Sequence, residues 1–364
     1  MTQPKRIIIV GAKFGELYLN HFIEPNSGLE LAGIVSTGSQ RANNLADSFG
    51  VPHYDDINSL PEDIDIACVV VRASVIGGQG SLLVEQLLKK YIHVLQEHPV
   101  SVIEFNRHIA LAQRHNVQYR VHSFYAATPA GATFINAANQ VKAQLGEVAT
   151  HGTVTTSRQL LYSSLDFLLQ SLDEHEQITA KYLGRHHHFD LINLICQHGE
   201  YLLKLQNYLD PADPDMHNLV MHNILLGWPS GYLSIVDSHG PVTWSPTLHV
   251  RNHLENSLSL YQTASISTGD YLHQTTTSTL YKGGHSWLDC FEKLGPQGVG
   301  DTLNELQGLI EGRETNQALK LEHQRSLALL WENILELVGK QKNISLKPTP
   351  HINVNQLTTS VERS

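Results

Sequence analysis

The sequence predicts two domains: an α/β domain on a doubly wound parallel sheet, and an α+β domain with an open, largely antiparallel sheet. As far as residue 122, short apolar runs alternate with helical patterns, which indicates a parallel sheet covered by helices. Beyond it, segments rich in Thr, Ser, Tyr and His alternate apolar with polar residues, which is typical of half-exposed strands. The 364 residues also exceed the roughly 100–200 of a single domain. We therefore expect one domain over 1–122, a second over 123–340 and a polar surface tail over 341–364.

The first domain consists of strands and helices in strict alternation. Apolar, β-branched runs predict strands at 6–10, 29–35, 66–71, 92–96 and 117–121. Apolar residues at helical spacing predict helices at 14–22, 42–49, 81–90 and 102–115. Such units join parallel neighbours by right-handed crossovers, so we expect ligands at the carboxyl ends of these strands.

The second domain begins with a helical pattern at 130–145. Period-two alternation then predicts strands at 147–155, 232–236 and 271–280, each with one polar face. Helical patterns return at 301–310 and 318–337. This mixture predicts an open sheet with helices on one side.

Composition narrows the class of protein. Asp and Glu number 35 against 25 Lys and Arg, a net charge of −10 that argues against a protein coating nucleic acid. No apolar run approaches the roughly 20 residues that cross a membrane, and the N-terminus lacks a signal-peptide core. The three cysteines (Cys68, Cys196, Cys290) are too scattered for a disulfide framework. We expect a cytoplasmic protein that binds neither nucleic acid nor membrane, although its 22 histidines are left unexplained.

A glycine turn follows the first strand and reads Gly11, Ala12, Lys13, Phe14, Gly15. A turn between a strand and a helix directs backbone N–H groups at a pyrophosphate. Of the three glycines in the dinucleotide-binding fingerprint, only Gly11 stands in its place, and Lys13 occupies the second position, where its ammonium could pair with phosphate. The alternative is that Gly11 merely ends a core strand. The strand and helix series favours dinucleotide binding.

The end of the second strand indicates which dinucleotide binds. Sites for NAD place an Asp or Glu there for the ribose 2′-hydroxyl, whereas residues 36–41 contain no carboxylate. Ser36, Thr37, Ser39 and Arg41 offer hydroxyls and a guanidinium, which bind a 2′-phosphate. We therefore predict NADPH/NADP as the cofactor; the alternative is that Arg41 is a solvated residue of the second helix.

The ends of two further predicted strands supply candidate residues for the cofactor site. Arg72 and Ser74 follow the strand at 66–71, and Glu97 follows the strand at 92–96, so we include all three in the predicted cofactor site. Glu97 opens the motif Glu97-His98-Pro99, which resembles the glucose-fructose oxidoreductase/inositol dehydrogenase (Gfo/Idh/MocA) family. That family usually carries Glu-Lys-Pro, with the lysine as an acid/base group near the nicotinamide. Histidine as a residue type titrates nearer neutrality than lysine, so its presence at position 98 suits protonating a nitrogen during reduction.

The chain is also similar to one branch of that family, the thiazolinyl imine reductases of siderophore assembly lines such as those for yersiniabactin and pyochelin. Blocks at 10–16, 96–99, 124–125, 155–163, 208–211, 213–217, 226–229 and 240–245 carry this similarity. The resemblance implies NADPH-dependent reduction of a thiazoline C=N to a thiazolidine, on an intermediate tethered to a carrier-protein domain of a nonribosomal peptide synthetase. It also implies a C-terminal helix that returns toward the first domain, and a homodimer formed through the open sheet.

The resemblance places acid/base chemistry at His98 and Tyr125, either of which could protonate the ring nitrogen. The structural alternatives are a hydrogen-bonding role for His98 and an interface role for Tyr125. Arg158, Tyr162 and His217 are candidates for shaping the substrate pocket, each with a purely structural alternative.

Other functions find less support in the sequence. We predict no metal site: His186, His187 and His188 would alternate faces on a strand, and no carboxylate or cysteine stands at a supporting spacing. No nucleophile-elbow motif accompanies a Ser/His/Asp set. Two alternatives stay open, namely a dehydrogenase of a sugar or inositol and a catalytically inactive NADP-binding sensor or scaffold.

Overall fold

The computed structural model describes residues 3–24, 28–172, 177–213, 218–248, 274–350 and 352–358. The first sheet has six strands: β1 (Lys5–Val10), β2 (Leu29–Val35), β3 (His53–Tyr54), β4 (Ile66–Val69), β5 (His93–Glu97) and β6 (Tyr119–His122). All pairs are parallel, in the order β3-β2-β1-β4-β5-β6. Because the strand order reverses between β1 and β4, the predicted doubly wound fold of the first domain is confirmed.

Helices cover both faces of this sheet: α1 (Gly15–Leu19), continued by a 3₁₀ turn at Asn20–Phe22, α2 (Gln40–Phe49), α3 (Gly80–Lys89) and α4 (Val102–Arg114). Local side chains determine where they begin and end. Ser39 accepts a hydrogen bond at the start of α2, and Gly50 ends that helix with a φ of +65°. Ser101 and Glu104 form a capping box at the start of α4.

The second domain contains an eight-stranded sheet in the order β15-β14-β13-β12-β7-β10-β9-β8. Its strands are β7 (His151–Ser157), β8 (Thr179–His186), β9 (Phe189–Ile195), β10 (Glu200–Gln206), β12 (His222–Trp228), β13 (Gly231–Ile235), β14 (Val242–Pro246) and β15 (Ser278–Tyr281). Apart from the parallel pair of β7 and β10, these strands pair antiparallel. The predicted open, largely antiparallel sheet is therefore confirmed, although most of the strand predicted at 271–280 lies outside the described residues.

Among the described residues, five helices follow the first domain: α5 (Pro129–Leu145), α6 (Leu161–Ser171), α7 (Gly295–Ile310), α8 (Leu321–Val338) and the short α9 (Val354–Thr358). Three of them, α5, α6 and α8, pack on the second sheet, and α7 packs against α1 of the first domain. A helical turn at Trp287–Asp289 and a π-helical turn at Cys290–Leu294 precede α7. The predicted tail is attached at its start, where β16 (Lys342–Asn343) pairs with β11 (Tyr208–Leu209).

Two helices from the end of the chain complete the core of the first domain. Val299 and Leu303 of α7 share one hydrophobic cluster with Ile9 of β1. On the opposite face of the sheet, Leu327 of α8 shares a second cluster with Val94 of β5. Both helices therefore hold the two domains against each other. Among the described residues, no helix combines the length and the apolar composition needed to cross a membrane.

Candidate active site

A cleft of about 2050 Å³ lies at the carboxyl edge of the parallel sheet, between the two domains. One wall belongs to the first domain and includes the turns after β1, β4 and β5. The other wall includes the segment after β7, the turn after β13, the π-helical turn and α8. Doubly wound folds bind their ligands at this edge, so the cleft is the candidate active site.

The glycine turn after β1 packs tightly against the backbone that follows β4. Gly11 has a φ of +106°, and a Cβ there would lie 2.5 Å from the carbonyl oxygen of Val70. Glycine is therefore required at this position. Gly15 is the first residue of α1 and packs closely against β1. The rest of the turn comprises the buried Ala12 and the cleft-lining Lys13 and Phe14.

The hydroxyl groups after β2 are used partly within the first domain itself. Ser36 Oγ lies 2.8 Å from Nε2 of His53. Ser39 Oγ accepts a hydrogen bond from the Ala42 amide. Thr37 is exposed at the turn. Of these three candidates, Thr37 is the one whose side chain forms no hydrogen bond with the described residues.

Arg41 lies across the glycine turn and lines the cleft. Its Nε donates to the carbonyl oxygen of Ala12 at 3.2 Å, and its guanidinium pairs with Glu16. A carboxylate that sequence reasoning missed also approaches this region: a Cβ at Gly38 would lie 2.9 Å from Oδ1 of Asp55. The region between the glycine turn and the turn after β2 therefore contains both a guanidinium and carboxylates.

The loop after β4 supplies Arg72 to the cleft wall. Its backbone is tight, since a Cβ at Gly78 would lie 1.9 Å from the carbonyl oxygen of Arg72. Ser74 faces away from the cleft: its amide donates to Ser81 Oγ at 3.1 Å, and its hydroxyl bonds to Glu104. The structure thus brings Arg72, but not the Ser74 side chain, to the predicted cofactor site.

These residues fit a dinucleotide. Gly11 follows β1 in a turn that leads into α1, an arrangement that directs backbone N–H groups at a pyrophosphate. Lys13, Arg41 and Arg72 bring positive charge to the same wall, which suits a pyrophosphate.

Glu97 and His98, at the end of β5, form the polar centre of the cleft. His98 Nδ1 lies 3.2 Å from Glu97 Oε1 and 3.1 Å from the carbonyl oxygen of His122. Both partners are acceptors, so Nδ1 carries a proton and Nε2 is left as the ring nitrogen for a ligand. The Tyr18 hydroxyl donates to the other oxygen of Glu97, and His122 Nδ1 lies 2.7 Å from that hydroxyl.

The pKa values of the buried partners fix the direction of these hydrogen bonds. Burial, reinforced by Glu97, raises the pKa of Tyr18 well above its ordinary value, so the phenol keeps its proton. Burial lowers the pKa of His122 to about 4, although Glu97 opposes that shift, so this ring is neutral at pH 7. His122 then donates to Tyr18, and Tyr18 and His98 both donate to Glu97.

Tyr125 follows β6 on a 3₁₀ turn and lines the same cleft as Glu97 and His98. Its ring centroid lies 4.7 Å from that of His222 and 6.2 Å from that of His239. Burial, reinforced by Glu97, raises the pKa of Tyr125, so its hydroxyl is protonated at neutral pH. Burial lowers the pKa of His222 to about 3, so Tyr125 packs on a neutral ring.

Arg158 lines the cleft from the second domain. Its guanidinium donates to Asn207 Oδ1 at 2.8 Å and to the carbonyl oxygen of Gly339 at 2.9 Å. Arg158 thereby ties the segment after α8 to the cleft wall. The third candidate in this domain, His217, lies outside the described residues.

Tyr162 lies behind His98 rather than on the cleft wall. Its ring stacks on that of His98 with centroids 5.4 Å apart and an interplanar angle of 22°, and meets the ring of Trp331 edge-on. The side chain is fully buried, and its hydroxyl forms no hydrogen bond with the described part of the chain. This geometry suits a residue that orients His98.

The three consecutive histidines do not all lie on a strand. His186 ends β8, while His187 and His188 form the turn that leads into β9, with a φ of +52° at His187. Over the described ranges, no cluster of three or more His, Cys, Asp or Glu side chains is arranged to hold a metal ion.

Several residues of the site were missed by sequence reasoning. Tyr18 sits inside a helix that the apolar pattern predicts to be core, and its contact with Glu97 spans 79 positions. His222 lies 97 positions beyond Tyr125, so the contact between their rings could not be predicted from the sequence either. His122 ends β6, and the strand-end criterion that identified Glu97 would have found it. Asp237, in the turn after β13, also lines the cleft, and burial raises its pKa.

Comparison with known families gives a match for each domain. Residues 5–123 match the oxidoreductase family with an NAD-binding Rossmann fold, Gfo/Idh/MocA. Residues 147–245 match the family described as thiazolinyl imine reductase Irp3-like, C-terminal. No curated protein sequence matches the chain.

Solved structures share the fold of both domains at low sequence identity. An oxidoreductase from Agrobacterium radiobacter, in complex with NAD+, L-tartaric acid and magnesium, is 14% identical; the match covers 91% of this chain and 95% of that chain, with a TM-score of 0.64. The UDP-N-acetylglucosamine 3-dehydrogenase GnnA from Acidithiobacillus ferrooxidans is 11% identical over 92% and 97% of the two chains, with a TM-score of 0.64. A variant of KijD10, a 3-ketoreductase from Actinomadura kijaniata in complex with TDP-benzene and NADP, is 12% identical over 94% and 100%, with a TM-score of 0.62.

Proposed function

The chain belongs to the Gfo/Idh/MocA oxidoreductases and carries the C-terminal domain of their thiazolinyl imine reductase branch, and from this premise we propose that it reduces a thiazoline C=N bond to a thiazolidine. The proposed substrate is an intermediate of siderophore assembly, bound to a carrier-protein domain of a nonribosomal peptide synthetase. The proposed reductant is NADPH. The observation that carries the proposal is the meeting of His98 and Tyr125 in one cleft, on a chain whose second domain matches that branch.

The cofactor would be held by the first domain. Gly11 would let the pyrophosphate approach the backbone, and Lys13 and Arg72 would neutralise its charge. When bound, NADPH supplies the hydride that adds to the imine carbon.

His98 is the proposed acid. Glu97 accepts from Nδ1 of His98, which leaves Nε2 as the position from which the imidazolium would donate its proton to the thiazoline nitrogen. The nitrogen gains this proton as its double bond to carbon is reduced, which completes the thiazolidine N–H. Tyr162 stacks on the ring and Tyr18 holds Glu97, so His98 is fixed before substrate binds.

Tyr125 is the second candidate for the acid. Its raised pKa keeps the hydroxyl protonated, and a phenol donates a proton readily when a nitrogen gains basicity during the reaction. If His98 is the acid, the Tyr125 hydroxyl would orient the thiazoline ring by a hydrogen bond.

We also propose that the protein is a cytoplasmic homodimer. Cys68, Cys196 and Cys290 are not joined by disulfide bonds, which is compatible with a reducing compartment. The eight-stranded sheet carries Leu191, Leu202, Leu225 and Tyr232 on the face opposite its core, which supports association through that face.

The proposed function is tested with purified protein, NADPH and an aryl-thiazolinyl-thiazoline thioester. We expect consumption of NADPH and a product heavier by two hydrogens, measured by absorbance and mass spectrometry. A sugar or inositol serves as the comparison substrate, with NADP as oxidant. Turnover of the sugar but of no thiazoline would favour the dehydrogenase, and tight NADPH binding without turnover would favour the inactive sensor.

A further inference from the structure

A pair of stacked aromatic rings lines the cleft beyond Tyr125. Trp287 and Phe291 have ring centroids 6.2 Å apart and an interplanar angle of 25°. They are 56% and 42% exposed, and both belong to the cleft wall. Aromatic faces of this size are normally covered in a folded protein, so their exposure inside a ligand cleft indicates a place for a flat ring. We call them the aromatic pair.

The aromatic pair is held in place by polar contacts on both sides. Ser286 and Asp289 form a capping box that fixes the helical turn carrying Trp287. Asn20, at the end of α1, donates to the carbonyl oxygen of Phe291 at 3.2 Å. The aromatic pair is thus preorganised between the two domains, which lowers the entropic cost of binding.

Two ring contacts connect the aromatic pair to the proposed reaction centre. The His239 ring lies 6.2 Å from Tyr125 and 6.1 Å from Trp287, edge-on in both contacts. His239 is buried, and burial lowers its pKa to about 4. It therefore lies between Tyr125 and Trp287 as a neutral ring. The aromatic pair is therefore a near neighbour of Tyr125 within the same cleft.

We propose that the aromatic pair binds a planar aromatic ring of the substrate by stacking, next to the thiazoline that is reduced. This inference rests on the proposed function for the identity of the ligand, an aryl group conjugated to a thiazoline. The aromatic pair would thereby select substrates that carry an aryl group over substrates that end in an aliphatic group.

The test compares two ligands on matched variants. The ligands are an aryl-thiazoline ester and the same ester with a methyl group in place of the aryl ring. The variants are Trp287→Ala, Phe291→Ala, the conservative Trp287→Phe, and Tyr91→Ala, an exposed aromatic outside the cleft. Circular dichroism and thermal unfolding verify that each variant folds.

The first readout is the dissociation constant, measured by calorimetry with the NADP-loaded protein. We expect Trp287→Ala and Phe291→Ala to weaken binding of the aryl ligand about three- to tenfold and of the methyl ligand by less than twofold. Trp287→Phe should restore most of the affinity, and Tyr91→Ala should behave as the parent. The ratio of kcat/KM for the two substrates should change by the same factor.

Equal losses for both ligands, or no loss for either, would overturn the inference. A weaker affinity for NADPH in Trp287→Ala would also overturn it, since the aromatic pair would then belong to the cofactor site. The dissociation constants can be measured even if no substrate is turned over. The test of ring binding by the aromatic pair is therefore independent of whether the proposed reduction takes place.

Discussion

At the scale of single residues, the proposed reaction depends on one proton held next to the cleft. We expect His98→Asn to lower kcat about 100-fold or more, because the group that protonates nitrogen is lost. Tyr125→Phe should cost less than about tenfold, because it removes a hydrogen bond to substrate and leaves the acid. Steady-state kinetics with saturating NADPH measures both effects. A larger loss for Tyr125→Phe would make tyrosine the acid, and unchanged rates in both would assign the proton to water or substrate.

The choice of cofactor depends on Arg41. We expect Arg41→Ala to raise the Kd of NADPH about tenfold and to leave that of NADH unchanged, because the guanidinium would pair with the 2′-phosphate. Glu16→Gln is the matched variant: it removes the carboxylate that now pairs with Arg41, so NADPH should bind more tightly. Fluorescence titration measures the dissociation constants of NADPH and NADH for the parent protein and for both variants. Equal affinity of the parent protein for NADH and NADPH would contradict the assignment of Arg41.

Sequence reasoning at this scale identified side chains that follow strands directly. Glu97, His98 and Arg72 were found because a strand end in a parallel sheet points to the ligand edge. Tyr18 was not found, because nothing in a helical pattern shows that α1 faces the end of β5. Tyr162 was assigned to the substrate pocket from resemblance, and the structure places it behind His98.

At the scale of elements, the turn after β1 requires a glycine at position 11, because a side chain there would not fit. Gly11→Ala should destabilise the protein by more than about 2 kcal/mol, because it combines an unfavourable φ with a clash against Val70. Gly50→Ala is the control: its φ is also positive, at +65°, but nothing lies within 4 Å of its Cβ. It should cost about 1 kcal/mol. Urea unfolding measures the difference, and equal losses would contradict the requirement for open space at Gly11.

The helices and strands that could be predicted from the sequence were those with apolar residues on one face only, or with an apolar run that ends at polar turns. The predicted strand at 29–35 matches β2 residue for residue, since its largely apolar run is bounded by polar turns. α6 was missed because nine of its 11 residues are buried, the polar Ser163, Ser164 and Asp166 among them, so its sequence is too polar for the buried helix that it forms. The start of α7 was also missed, since Gly295 and Pro296 are weak helix formers that packing holds in place.

At the scale of the whole molecule, buried histidines should make stability depend on pH. Burial lowers the pKa of His108, His122 and His239 to about 4 and that of His222 to about 3. In the unfolded chain histidine titrates near 6.5, so between pH 6.5 and 4 the unfolded state binds protons that the folded state does not. Stability should be constant above pH 7 and fall by about 1.4 kcal/mol per pH unit for each such histidine below 6.5.

Urea unfolding at pH 7.5, 6.0 and 5.0 checks this expectation while most carboxylates stay ionised. His222→Gln provides the control, because its free energy of unfolding should fall less steeply with pH whatever its absolute stability. A free energy that stays constant down to pH 5 would contradict the neutral, buried state of these rings. These four buried histidines would thereby have a structural role, which accounts for part of the 22 histidines of the chain.

The proposed homodimer is a second prediction for the whole molecule. Light scattering should give twice the 40.5 kDa mass of the chain. Leu191→Asp together with Leu225→Asp should yield monomers, because charge would be placed on the outer face of the sheet. Ile103→Asp, at an exposed apolar residue of the first domain, is the matched control and should stay dimeric. A monomeric parent protein would contradict the proposal.

The return of the last helices to the first domain has a consequence for biosynthesis. Gln324 of α8 pairs with the edge strand β6 as a neighbouring strand would: the Val121 amide donates to its Oε1 at 3.0 Å, and its Nε2 donates to the Val121 carbonyl oxygen at 2.7 Å. Until α8 leaves the ribosome, β6 presents an open strand edge on which nascent chains can aggregate. The first domain, although continuous in sequence, is thus completed by a helix whose Gln324 follows Val121 by 203 positions. A gene fragment encoding the first domain alone should therefore give insoluble protein.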